Sequence, residues 1–546
     1  MKTKKGWSMV LLAIGLLSFQ LFIVSHTRAA DNLAAAQVLS MSLLAADIKI
    51  LDPHYASATG DRLLVDMVFN GLLRYKPGLY PELEPDIAIN IPKPEIVAGK
   101  QIWTFNIRKG VITHPFPGYP EGYEITSEDI VYSFKKAADP ARSAWAGDYP
   151  AWIHLEAPDA YTVKVILDQP LSPTLLLPRF ASYAGGHIVP KKAIEAIGDE
   201  KFKSNPIGTG PFALEKYLPR ERVILTGHSK YFRGKPILKE FHGVLMADLS
   251  SAEMALMKGE LQAMVGPTDE DWVKKMEGMP KIKVDIFGPG ENNILYLNTK
   301  KSPLNLLDVR KAICYALSRK EIVALFGERI ATPTYSPIPV GFMTGGLSKD
   351  EVQRAGISWG IETNIDKAKE LLSRAGFPKG FNIETNMSER DYYIKPMQVI
   401  QSQLKKIGVN VKINMVDHAA YHSLIRQDAN PFVMYSVWRP NPDIWLTRFF
   451  HSDSAVAVGK SPDTNFTHGN LIDTLIEKAR FEIDPLKQAA LWKEAQITLL
   501  NNAEISVFCL LKLTCARSIS VDWGHPVKSS MFLYPQIDER TKLLKN

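Results

Sequence analysis

The feature that most narrows the fold is a change of period at residue 408. Met397, Ile400, Leu404 and Ile407 recur at helical spacing and form one apolar stripe. Gly408 follows, where a helix end favours a residue free to adopt the left-handed conformation. Val409, Val411, Ile413 and Met415 then alternate with other positions, the period of a half-buried strand. Helix, glycine and strand in succession are the repeating step of an α/β lobe. Other segments agree. Trp103, Phe105 and Ile107 alternate with polar residues, as do Val163, Val165 and Leu167, so both stretches predict strands. Thr126 is placed to cap a helix over 127–134, with Asp129 three residues on and Asp139-Pro140 ending it. Gly and Pro cluster at 75–94 and 115–122, which predicts surface loops.

Length adds a second constraint. A chain of 546 residues is too long for one core, and at roughly 150 residues per domain it divides into about three or four lobes. Its N-terminus stands apart from them. Lys2, Lys4 and Lys5 precede an apolar run from Met9 to Val24, and Thr27, Arg28, Ala29 and Ala30 follow. This is the layout of a secretory signal peptide cleaved after Ala29 or Ala30; an uncleaved anchor is the alternative. No later stretch approaches the roughly 18 apolar residues of a spanning helix. No cysteine stands near the cleavage site to carry a lipid. A free exported chain needs an outer compartment to retain it, so the expected location is a Gram-negative periplasm. Without Lys2, Lys4, Lys5 and Arg28, the 65 basic residues fall to 61 against 58 acidic, a net charge of +3. That balance supplies no electrostatic drive toward nucleic acid or an anionic membrane. Cys314 lies in an apolar helical pattern and reads as a small buried hydrophobe. Cys509 and Cys515 are close enough in sequence to close a disulfide loop in an oxidising compartment; two unpaired core thiols are the other reading.

A series of blocks runs along the chain: Leu51-Asp-Pro-His54, Asn70-Gly-Leu-Leu-Arg-Tyr75, Leu83-Glu-Pro-Asp86, Trp103-Thr-Phe-Asn-Ile-Arg-Lys-Gly110, Asn205-Pro-Ile-Gly-Thr-Gly-Pro-Phe212, Tyr231-Phe-Arg-Gly-Lys-Pro236 and Asp308-Val-Arg-Lys-Ala312. In this order they resemble the family 5 solute-binding proteins, the peptide- and nickel-binding receptors of ABC importers. The resemblance implies an α/β, three-lobed periplasmic binding protein of type II-like build. Two α/β lobes are joined by a hinge, and an extra lobe is inserted. The implied division is 1–30 signal peptide, 31–76, 206–294 and 518–546 lobe I, 77–205 lobe II, and 295–517 lobe III. The implied function is capture of a peptide or similar small polar solute by hinge closure and its delivery to permease subunits served by separate ATPase subunits. The chain is expected to act as a monomer, with no cofactor and no resident metal.

The resemblance also nominates ligand contacts. Tyr55, Ser57 and Thr59 match the lobe I contact loop. Arg390, Tyr392 and Tyr393 match a lobe III contact stretch, and Trp438, Arg439, Asn441 and Asp443 lie on the family's tryptophan loop. Peptide-binding members carry an aspartate three residues after that tryptophan, paired with the peptide's α-amino group. Here the position is Asn441, which keeps an acceptor and loses the charge. Asp443 is placed to substitute from two residues on; otherwise the ligand is a sugar, an opine-like compound, a metal chelate or another polar solute. Arg390, Arg426 and Arg439 each suit a carboxylate through a bidentate fork. Trp438, followed by polar and proline residues, reads as a ligand-stacking wall.

Three motifs bear on an enzyme reading. Gly356-Ile-Ser-Trp-Gly360 fits G-x-S-x-G, but a polar stretch precedes it where the elbow needs an apolar strand. His418 and His422 share one helical face as in zinc sites, without the glutamate of that motif. Val458-Gly-Lys-Ser461 lacks the first glycine of a phosphate-binding loop. The expectation is therefore a binding protein, not an enzyme; a secreted hydrolase or chaperone-like protein on the same scaffold is the alternative from another class.

Overall fold

A computed structural model describes residues 32–545 apart from 182–184 and 533. The expected signal peptide, 1–30, lies outside the described residues. Two long strands organise the molecule. Ile282–Leu297 has 16 residues and Ile505–Ser518 has 14, where a strand usually has about five or six. They run antiparallel, and each passes from one lobe into the other. At one end Ile505–Ser518 pairs with Ala263–Gly266, and Val38–Ser42, Glu240–Val244, Arg222–Gly227 and Phe212–Leu218 continue the sheet. At the other end Phe432–Val437 and Ala331–Pro333 are the outer neighbours. The register shifts between Phe287 and Glu291, across Gly288-Pro289-Gly290. Gly290 has φ 65°, and a Cβ there would stand 1.4 Å from the Leu511 carbonyl oxygen, so the crossing admits only glycine. This crossing joins two α/β lobes.

A third lobe carries a four-stranded antiparallel sheet in the order Glu95–Val97, Lys100–Asn106, Thr162–Leu167, Ile153–Asp159. Trp103, Phe105, Val163, Val165 and Leu167 are buried on it, as their alternation predicts. Helix Ser127–Ala138 packs against this sheet. Thr126 and Asp129 form a reciprocal capping box at its start, and Asp139 ends it. From this helix Lys136 reaches Asp52, at 3.1 and 2.7 Å to the two carboxylate oxygens. Both side chains are 0% exposed. The Leu51-Asp-Pro-His54 block is thus a tether between lobes, with Asp52 also accepting the His54 amide at 2.9 Å.

The unit around residue 408 forms as its periods require. Helix Asp391–Lys405 buries Met397, Ile400 and Leu404, Gly408 takes φ 82°, and Val409–Val416 runs parallel to Phe381–Ser388. Met415 departs from the expected pattern at 66% exposed, because Val409–Val416 belongs to a sheet of only two strands and its end has no cover.

One expectation is corrected. The segment 75–94 is not a plain surface loop. Tyr75, Tyr80, Ile87 and Ala88 are buried, and Asp86 is held by Arg233 at 3.0 Å. Of the two readings of Cys509 and Cys515, the structure has the unpaired core thiols: both are free and buried. They lie on the same strand, opposite Asn293 and Asp285, and six residues of extended chain span roughly 20 Å, far beyond disulfide reach. Among the described residues, no helix is long and apolar enough to cross a membrane.

Candidate functional site

Beside the crossing lies a cavity of about 740 Å³ between the two α/β lobes. The first lobe contributes Gly266, Pro267, Thr268, Asp269 and Trp272; the crossing strands contribute Glu291 and Leu511; the second lobe contributes Leu325, Phe326, Tyr392 and Lys395. Local sequence explains the placements. Gly266 ends its strand with no side chain because a Cβ there would fall 2.1 Å from the Trp272 ring. Asp269 caps helix Glu270–Glu277 by accepting the Trp272 amide at 2.8 Å. Helix Asp391–Lys405 begins at the cavity and presents Asp391, Tyr392 and Lys395.

Most charges lining this space are already matched. Asp391 pairs with Lys395 at 2.8 Å, Asp271 with Lys274 at 3.4 Å, and Lys275 with Glu253 at 2.5 Å. Glu291 differs. Among the described residues its carboxylate makes no hydrogen bond and no ion pair, and burial, opposed by the nearby Arg439, raises its carboxyl to about 7. Neither Glu291 nor the first-lobe wall was foreseen from sequence. The available signal was Gly-Pro-Gly interrupting an alternating strand, with an acid directly after it.

The tryptophan loop follows strand Phe432–Val437. Trp438 is 9% exposed, with its ring edge-on to Tyr80 at 5.6 Å, and the Tyr80 hydroxyl donates to the Pro440 carbonyl at 2.9 Å. This contact links the loop to the 75–83 segment and borders a second cleft of about 270 Å³ lined by Tyr75, Tyr80, Phe342, Pro440 and Asn441. Asn441 caps helix Pro442–Phe450, its Oδ1 accepting the Ile444 amide at 2.9 Å. Asp443 turns the other way, to Arg480 at 3.3 Å. Asp443, nominated by sequence to meet a ligand ammonium, has its carboxylate engaged within the fold. Arg439 donates to the Trp438 carbonyl at 2.9 Å and lies 5.1 Å over the Phe449 ring. Its buried Nε has no hydrogen-bond partner, and no carboxylate pairs with it among the described residues. Burial pulls its pKa down from the usual arginine value.

The remaining nominees divide. Tyr392 lines the cavity. Tyr393 is buried behind it against Tyr421 and His418, with ring centroids at 5.4 and 5.6 Å. Arg390 is exposed at the helix start, 3.5 Å from the Tyr392 hydroxyl. Arg426 is exposed and engages His422 at its carbonyl and, at 3.4 Å, at Nδ1. His418 and His422 face each other at 3.2 Å between Nε2 atoms, and His418 Nδ1 meets Ser388 Oγ at 3.0 Å. Burial first, then Arg390, holds His418 below its usual value against Glu389 and Asp417, and burial with His418 holds His422 at about 4. The structure does not bring the 55–59 loop to this cavity. Tyr55 donates to the Ala141 carbonyl at 2.9 Å and packs beside Lys136 and Lys203, while Ser57 and Thr59 are exposed where helix Thr59–Val68 begins.

The profile described as bacterial extracellular solute-binding proteins, family 5 middle, matches residues 82–456. A solved structure, the binding protein MoaA of A. tumefaciens R10 in complex with mannopinic acid, is 36% identical, with a TM-score of 0.76 over 94% of this chain and 100% of that one. The dipeptide-binding protein of Escherichia coli K12 is 28% identical over 80% of this chain and 82% of its own. The protein DppA of Helicobacter pylori, solved with peptide STSA, is 24% identical, with a TM-score of 0.74 over 95% of this chain and 100% of that one.

Proposed function

The chain belongs to the bacterial extracellular solute-binding proteins of family 5, and we propose that its ligand is a small polar acid of opine-like kind instead of a conventional peptide. The family role is a receptor that encloses a small ligand between two α/β lobes by closing about a hinge, and delivers it to an ABC importer. The narrower reading is carried by the loop after Val437. Asn441 has its acceptor in a helix cap and Asp443 is ion-paired with Arg480, so neither is free for a peptide ammonium. Arg439 on the same loop is a half-buried cation, its Nε buried without a hydrogen-bond partner, and no acid is paired to it among the described residues. A buried unpaired charge is strongly unfavourable, and a ligand carboxylate relieves it through a planar fork of hydrogen bonds. The 36% identical relative, solved with mannopinic acid, supports an acid of this kind.

In this reading the mature chain works in the periplasm, and its permease partners carry their own ATPase subunits. It acts without turnover. Ser358 follows the short helix Lys349–Arg354, not a strand, and its hydroxyl is bonded to Tyr315 at 2.5 Å, whereas a nucleophile elbow needs a strand before the serine. Thermal shift and calorimetry with mannopinic acid, dialanine and trialanine test the ligand. A true ligand at 100 times its Kd stabilises the protein by roughly 2.7 kcal/mol. Arg439→Gln should weaken binding of the acid by roughly 10–150-fold, from about 1.5–3 kcal/mol for a hydrogen bond to a charge. Peptides that bind more tightly than the acid, with Arg439 indifferent, would overturn the reading.

A further inference from the structure

We infer that Glu291 is the amine-recognition group of this receptor, so that the ligand's head carries an ammonium beside its carboxylate, as an amino acid or an N-substituted amino acid does. The inference rests on the reading that the cavity at the crossing holds the ligand, with Arg439, which stands beside that cavity on the loop after Val437, as its carboxylate grip. Three observations support it.

The first is elimination. Asp271, Asp391, Lys275 and Lys395 line the cavity with an ion-pair partner each, and Asp269 caps a helix. Glu291 alone among these lining charges is left without a hydrogen bond or ion pair among the described residues. The second is the opposed pair. Asn292 stands opposite Val437, which sets Glu291 beside the loop carrying Arg439. The two side chains sense each other electrostatically and yet form no ion pair. Half-buried opposite charges that stand near each other without pairing suit a zwitterion, with each end reversed against its partner. An extended peptide instead separates its terminal charges by roughly 3.3–3.6 Å per residue. The third is position. Glu291 is the first residue after Gly288-Pro289-Gly290, where the two lobes cross, so an ammonium held there sits at the junction of the two lobes.

A proton signature follows. An ammonium requires ionised Glu291, and burial holds that carboxyl at about 7, so binding near neutral pH expels a proton. Facing Glu291 are groups from the tryptophan loop, helix Asp391–Lys405 and the first lobe. Arg439 is a cation; Tyr392 and Tyr393 on helix Asp391–Lys405 are pushed up by burial. Asp391, Lys395 and the first-lobe Asp269, Asp271 and Lys275 are engaged as above. Behind Tyr393, His422 is held at about 4 and His418 is lowered as well.

The test is calorimetry on the intact mature chain with mannopinic acid as probe. Affinity should rise about tenfold from pH 6 to pH 8 and then level off, with roughly half a proton released at pH 7, counted in buffers of different ionisation enthalpy. Glu291→Gln should bind at least about tenfold more weakly at pH 8 and lose the pH dependence. L-glutamate should compete at least about tenfold better than glutarate, the same diacid without the amine. Equal affinity at pH 6 and 8 with no proton release overturns the inference, as does a folded Glu291→Gln that binds like the parent. If that variant does not fold, the proton count on the parent decides. Mannopinic acid bound with Glu291 indifferent removes this inference and leaves the acid-receptor reading. Binding of peptides but not of mannopinic acid removes both.

Discussion

Asn441→Asp separates two accounts of the tryptophan loop. By sequence position the substitution restores the aspartate that meets a peptide ammonium. The geometry predicts that it restores nothing. Asn441 Oδ1 already accepts the Ile444 amide at 2.9 Å as the cap of helix Pro442–Phe450. It lines the smaller cleft with Pro440 and Tyr80, not the cavity that holds Glu291. Asp and Asn cap helices about equally, and a negative cap gains roughly 0.3–1 kcal/mol from the helix dipole. Asn441→Asp should therefore be neutral or stabilising by up to about 1 kcal/mol, while Asn441→Ala should lose about 1 kcal/mol. A carboxylate free to meet an ammonium would add about 1.5–3 kcal/mol, or roughly 10–150-fold in Kd. One fixed on a helix amide should change peptide affinity by no more than about twofold, the scale of an ordinary surface substitution. Urea unfolding reads the first effect, and calorimetry with dialanine and trialanine reads the second. A gain of tenfold or more in peptide affinity would refute the account of this loop and, with it, the reason for setting peptides aside.

Other outcomes follow from buried charges elsewhere. Lys136 and Asp52 are both 0% exposed, so Lys136→Met alone should lose about 3–5 kcal/mol, and Lys136→Met with Asp52→Leu much less, because the double change leaves no orphan charge; equal losses in urea unfolding would show that the ion pair is not the cause. Stability should also fall on acidification. Burial holds His114 and His187 at about 3, and burial with His418 holds His422 at about 4. These groups bind fewer protons folded than unfolded, so their contribution is full above the unfolded value near 6.5 and is lost as pH falls toward 4 and 3. A urea midpoint unchanged between pH 7 and pH 4.5 would contradict this.

What the sequence made legible was local, and what it concealed depended on distant partners. Residues 397–416 disclose a helix, a left-handed glycine and a strand because those signals lie within one turn or one pleat of each other. Thr126 and Asp129 disclose their capping box for the same reason. Asp443 shows the opposite case. Its neighbours in sequence suggest an acid available to a ligand, while its fate is set by Arg480, 37 residues later. Cys509 and Cys515 look bridgeable in sequence and are kept apart because the strand they share is fully extended, a consequence of its pairing with Ile282–Leu297. Glu291 was concealed most thoroughly. Nothing adjacent marks it as unpaired, since its isolation shows only once every other lining charge is seen to find a partner within its own helix or lobe. That is also why it matters physically. A fold can absorb a surface acid at little cost, but a half-buried carboxylate beside a half-buried, unmatched guanidinium is retained against an unfavourable desolvation term. The stabilising partner for both is then supplied from outside the chain, and a solute that bridges them at the crossing of two lobes favours the closed arrangement by its contacts to each.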